Sequence, residues 1–124
     1  MTLARQRLGR AAEQLVAERL QRLGWRIVGR NVRLPSGELD LVALDGVTLV
    51  FVEVKAGRVG AAIGPERPAH AVGRQKQRKL RRLAREWIWE RRGPSGVAGY
   101  RFDVVGVSFG PDGLADIDHI RAAF

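Results

Sequence analysis

Residues 47–55 read Val-Thr-Leu-Val-Phe-Val-Glu-Val-Lys, and this stretch restricts the fold more than any other. Alternation puts Val47, Leu49 and Phe51 on one face and Val50, Val52 and Val54 on the other. A strand that is apolar on both faces must be covered on both, so it belongs in the middle of a sheet clad by helices. Yet the run ends in Glu53 and Lys55, two charges on the same face as Phe51.

The flanking segments supply the cover. Residues 4–23 carry Leu8, Ala11, Ala12, Leu15, Val16 and Leu23 at helical spacing, with Gly24 as the stop. Residues 25–34 and 38–44 read as strands on either side of Pro35-Ser36-Gly37, and Asp45-Gly46 reads as a tight hairpin turn. Beyond the central strand, residues 56–68 are rich in Gly, Ala and Pro and predict a mobile loop. A long helix then runs to about residue 92, with Leu80, Leu83, Ala84, Trp87 and Ile88 along one side. A loop over 93–99 leads to strands at about 100–107 and 114–120. The order α-β-β-β-α-β-β describes an α/β fold with a central mixed sheet, in which the strand after the long helix runs parallel to its predecessor. A chain of 124 residues is expected to form one domain spanning 1–124.

Several classes are set aside by composition. With no cysteine there are no disulfides, thiolate metal sites or cysteine nucleophiles, which agrees with a reducing compartment. Residues 1–10 hold three arginines and lead into a charged amphipathic segment, so neither export nor a membrane span is expected. The expected location is the cytoplasm. Lys and Arg number 22 against 13 acidic residues, and the excess is local: residues 66–92 hold ten basic and three acidic side chains, whereas 93–124 hold two and four. A basic stripe of this kind suits a polyanion, most commonly nucleic acid. The candidate contacts are Lys76, Arg78, Arg81, Arg82 and Arg85 on the long helix.

The chemistry concentrates around the charged end of the central strand. If Asp45-Gly46 is the two-residue turn, Leu44 pairs with Val47, Asp40 lies opposite Phe51, and Glu38 lies opposite Glu53. Glu38, Asp40, Glu53 and Lys55 then share one face, unless a bulge intervenes. Asp40 and Glu53 become diagonal neighbours able to hold one hard cation, Mg²⁺ or Mn²⁺, with the Val54 carbonyl as a further oxygen. Lys55 is placed to steady charge on a reacting phosphoryl group, or simply to neutralise Glu53. Glu13 lies at the edge of the first helix's apolar face, aligned with Val16 and Leu20. Lys76 points to the inner side of the second helix, where a lysine wants a partner; Gln75 is adjacent. No set of nucleophile, base and orienting residue is apparent among Ser36, Ser95, Ser108, His70 and His119.

Gly37-Glu38-Leu39-Asp40-Leu41-Val42, Val50-Phe51-Val52-Glu53-Val54-Lys55, Arg101-Phe102-Asp103-Val104-Val105 and the ending His119-Ile120-Arg121-Ala122-Ala123-Phe124 resemble the bacterial YraN family. That family lies in the PD-(D/E)XK nuclease superfamily and is similar to archaeal Holliday junction resolvases. The likeness extends to Gly9 and Glu13 and to Arg30-Asn31-Val32-Arg33. It implies a restriction-endonuclease-like core, Asp40 and Glu53 as metal ligands, Lys55 as the catalytic lysine, Glu13 as an auxiliary acid, and Gln75 or Lys76 as a supporting polar residue. Two departures stand out: Leu39 precedes Asp40 where proline is common in the superfamily, and Ala56-Gly57-Arg58 replaces the usual basic residue soon after the lysine. The expectation is a Mg²⁺-dependent or Mn²⁺-dependent, structure-selective DNA endonuclease, with a homodimer suggested by analogy. The alternative is a non-catalytic nucleic-acid-binding or adaptor protein in repair or recombination.

Overall fold

The computed structural model describes residues 3–58, 72–90 and 93–124. Its elements follow the expected order: α1 (Leu3–Arg22), β1 (Arg26–Leu34), β2 (Gly37–Asp45), β3 (Thr48–Arg58), α2 (Arg74–Trp89), β4 (Gly99–Phe109) and β5 (Ala115–Ile120). The five strands form one mixed sheet in the order β1-β2-β3-β4-β5, with β3 at its centre. β3 and β4 are parallel and the other neighbours antiparallel. This is an α/β architecture consistent with a restriction-endonuclease-like core. The loop expected over 56–68 lies, beyond its first three residues in β3, outside the described residues. Among the described residues, no helix is long and apolar enough to cross a membrane.

Each face of the sheet has its own core, because alternate residues of β3 go to opposite sides. Val50 and Val52 pack with Leu41, Ala43, Val105 and Val107 against Ala12, Val16, Ala17 and Leu20 of α1. Leu49 and Phe51 pack with Leu39 and Val42 against Leu80, Leu83, Ala84 and Trp87 of α2. The buried stripe of α1 is shifted from the expected one: Ala17 and Leu20 are buried, while Ala11 and Leu23 are exposed. Small residues at Ala12 and Ala17 let that helix lie close to the sheet. The helix ends in a left-handed Gly24, where the Gly24 N–H donates to Gln21 O and the Trp25 N–H to Leu20 O, satisfying two terminal carbonyls.

The β2–β3 register differs from the expected one. The turn is Gly46-Val47, not Asp45-Gly46, and Asp45 pairs with Thr48, Leu44 with Leu49 and Leu41 with Val52. Gly46 has φ of 61° while Val47 stays at negative φ, the pattern of a turn with glycine at its first central position. Moving the turn by one residue moves every partner by two. Facing is therefore preserved over residues 41–45, and the register carried one step further brings Asp40 level with Glu53 instead of Phe51. Val47, expected in the core, is exposed in the turn.

A second polar centre lies within the sheet. Asp103 of β4 is 1% exposed and accepts from Arg101 Nε at 2.8 Å and Nη2 at 3.0 Å. It lies 2.8 Å from His119 Nε2 and accepts from the Ala122 N–H at 3.0 Å. Burial by itself would raise the Asp103 carboxyl, but the hydrogen bonds from His119, Arg101 and Ala122 outweigh it and hold the group below its ordinary value. The same contacts pin the segment after β5, where the Ala123 N–H donates to Phe102 O and the Phe124 ring stacks on Phe102 at 5.0 Å. We predict that Asp103→Ala destabilises the protein by about 3 kcal/mol or more, measured by urea unfolding, because it strands a buried donor set. The carboxyl is depressed in the folded state, so its contribution is complete above the unfolded value of about 4 and is lost as pH falls through the folded one.

Candidate metal and nucleic-acid site

The sheet forks at the charged end of β3. β2 pairs with β3 only from Leu41↔Val52 to Asp45↔Thr48, whereas residues 37–39 of β2 pair with β1 and residues 53–58 of β3 pair with β4. Asp40 and Glu53 stand at the point of divergence. There the Val54 N–H, which has no ladder partner on β2, donates to Asp40 Oδ2 at 2.9 Å. Side-chain alternation in β2 also breaks here: Leu39 and Val42 pack under α2, while Leu41 and Ala43 pack under α1.

Five expected residues meet around the fork: Glu13, Asp40, Glu53, Lys55 and Lys76. Glu53 is 6% exposed, and its Oε1 lies 3.8 Å from Lys55 Nζ and 3.6 Å from Lys76 Nζ. Lys76 is thus the inner polar residue of α2, and Gln75 is exposed. Glu13 of α1 is half-buried and feels the charge of Asp40. Glu38 departs from its expected place: the break in alternation takes it toward the α1 side, where it meets Asn31 instead of Glu53.

Burial is the main force on all three of the acids Glu13, Asp40 and Glu53. Glu53 is pushed up to about 7 by burial and then by the Asp40 charge, against the pull of Lys76 and Lys55. Asp40 is also raised by burial, opposed by the Val54 N–H and the same two lysines. Glu13 is raised by burial and by Asp40. A buried and a half-buried carboxylate that resist holding two negative charges form a donor set that suits a hard divalent cation. Among the described residues no three acidic or histidine side chains cluster as a metal cage. Mg²⁺ commonly takes only one or two carboxylates and completes its shell with water and phosphate oxygens.

A cleft of about 1110 Å³ opens over the fork, bounded by α1, β1, β2, β3 and the start of α2. Its lining includes Arg5, Arg10, Arg33, Lys55, Arg58, Lys76 and Lys79 against the acids Glu13, Glu38 and Asp40. Of the expected nucleic-acid contacts only Lys76 lines it. Arg78, Arg82 and Arg85 are exposed elsewhere on α2, and Arg81 lies over the rings of Phe102 and Phe124 at 5.2 and 5.3 Å. The other cleft cations come from several elements, so no local run in the sequence announces them.

The profile of the uncharacterised protein family UPF0102 matches residues 12–107, which contain the whole fork. The chain belongs to family UPF0102. A UPF0102 protein of Symbiobacterium thermophilum is 49% identical over 95% of this chain and 96% of its own length. A second, from Acidothermus cellulolyticus, is 41% identical over 98% and 96%. A third, from Anaeromyxobacter dehalogenans, is 46% identical over 97% and 85%.

The charge balance of this UPF0102 site is open to direct titration. In metal-free protein, carbon-detected NMR is expected to place the Glu53 midpoint near 7. Asp40→Asn should lower that midpoint, and Lys76→Met should raise it. Because the folded group binds its proton more tightly than the unfolded one, Glu53 makes stability fall as pH rises from about 4.5 to 7.

Proposed function

We propose that this UPF0102 protein is a divalent-metal-dependent, structure-selective DNA endonuclease whose ion is held by Asp40 and Glu53. The observation that carries the reading is the fork: the buried Glu53 and the half-buried Asp40 on neighbouring strands, with Lys55 and Lys76 beside Glu53 and a basic cleft above. When bound, Mg²⁺ or Mn²⁺ supplies Lewis-acid polarisation of a phosphodiester and a lowered pKa for water. The Val54 N–H fixes the Asp40 carboxylate, and the Val54 carbonyl is a further hard oxygen on the same strand. Lys76 and Lys55 share the Glu53 carboxylate, and Lys55, which lines the cleft, is the ammonium placed to meet a phosphoryl oxygen. Arg5, Arg10, Arg33, Arg58 and Lys79 supply charge for the nucleic-acid backbone, which selects shape over base sequence.

One observation favours a non-catalytic nucleic-acid-binding protein instead: Lys55 and Lys76 already neutralise Glu53, so the acid also serves as a buried structural ion pair. Nicking assays on branched and linear DNA separate the two. With Mn²⁺ or Mg²⁺ the endonuclease reading expects cleavage that falls by at least about 100-fold in Asp40→Asn, Glu53→Gln and Lys55→Ala, while salt-sensitive DNA binding persists. Cleavage unchanged by these substitutions, or DNA binding with no Mn²⁺ uptake, would reject it.

A further inference from the structure

Asparagine is uncommon within strands and tolerates the left-handed region. Asn31 shows both traits, lying within β1 at a φ of 47°. Its neighbours Arg30 and Val32 pair with Leu41 and Leu39, which puts Asn31 level with Asp40 on one side as Glu53 is on the other. The side-chain amide has two N–H donors, and both are used. Oriented with its nitrogen toward the carboxylates, as their chemistry demands, it donates to Glu13 Oε2 at 2.8 Å and to Glu38 Oε1 at 3.2 Å. The next contact along repeats the theme: Arg30 Nη1 donates to Gln14 Oε1 at 3.0 Å, so adjacent residues of β1 grip adjacent residues of α1.

Glu13 and Glu38 carry like charge and both line the cleft beside Asp40; nearby cations such as Arg10 offset that charge, and the Asn31 amide ties the two carboxylates to each other. We propose that Asn31 is a positioning residue: its amide joins Glu13 to Glu38 and holds the Glu13 carboxylate toward Asp40, so that α1 contributes to the surroundings of the bound cation. This inference rests on the metal-dependent reading above. Asn31 need not touch the ion, because it acts through Glu13, as hydrogen-bond partners of metal-site carboxylates do.

Glycine separates the backbone role of Asn31 from its amide role, since it adopts a positive φ freely and has no side chain. Mn²⁺ binding to folded, DNA-free protein is followed by calorimetry or by the free-ion EPR signal. Asn31→Gly is expected to keep the metal-free melting temperature within about 3 °C and to weaken Mn²⁺ binding by about 10-fold. Glu13→Gln should also weaken binding, and the double variant should be no weaker than Glu13→Gln alone, the non-additivity of residues acting through one another. In wild-type protein the Asn31 side-chain amide signals should move on adding Mg²⁺, a readout that stands even if the glycine variant does not fold. Wild-type Mn²⁺ binding that is lost in Asp40→Asn but unchanged in Asn31→Gly, additive effects of the two substitutions, or amide signals unmoved by saturating Mg²⁺ would overturn the inference alone. No Mn²⁺ binding by the wild type would overturn the metal-dependent reading and this inference with it.

Discussion

The hydrogen bond from the Val54 N–H to the Asp40 carboxylate is the contact on which the rest of the site depends. A sheet that splits between two strands leaves backbone donors without a ladder partner, and a buried donor must find another acceptor. Here a side chain supplies it. The same bond that lets β2 leave β3 also draws an acidic group into the opening, next to the buried Glu53. Fold and chemistry therefore share one cause: the place where pairing stops is the place where charge collects.

The cost of that arrangement is spread over both helices. Asp40 and Glu53 repel each other in a poorly solvated position, and the partners that soften the conflict arrive from different layers. Lys76 comes from α2 on one side of the sheet, and Lys55 from the strand itself. Glu13, on α1, adds negative charge from the other side. The helix contacts are in turn set by the two separate cores, so apolar packing on each face determines which ionisable groups reach the fork.

Much of this was legible beforehand because it follows from alternation. The doubly apolar pattern of residues 47–55 placed the central strand, and the inward position of Lys76 on an otherwise outward-charged helix marked it as needing a partner. The register was not legible, because Asp45-Gly46 and Gly46-Val47 both put a glycine in the turn and differ only in which central position takes positive φ. The break at Asp40 was equally hidden: nothing in Leu39-Asp40-Leu41 says that the two leucines go to opposite faces. Asp103 gave a signal that its motif carried unread, since an aspartate entering the run Val104-Val105, with Arg101 two residues before it on the same face, predicts a buried ion pair. The basic stripe and the outward direction of its arginines were visible, but the makeup of the cleft was not, because its cations come from distant segments.

The fork also divides β3 into two physical regimes. From Thr48 to Val52 the strand has paired neighbours on both sides, whereas from Glu53 to Arg58 it has β4 alone. One continuous segment thus runs from the most protected part of the molecule into a half exposed along its edge. Amide hydrogen exchange would cross from slow to fast within a few residues of Glu53, so Glu53 and the tethered Val54 sit in rigid backbone while the strand beyond them has more freedom to breathe.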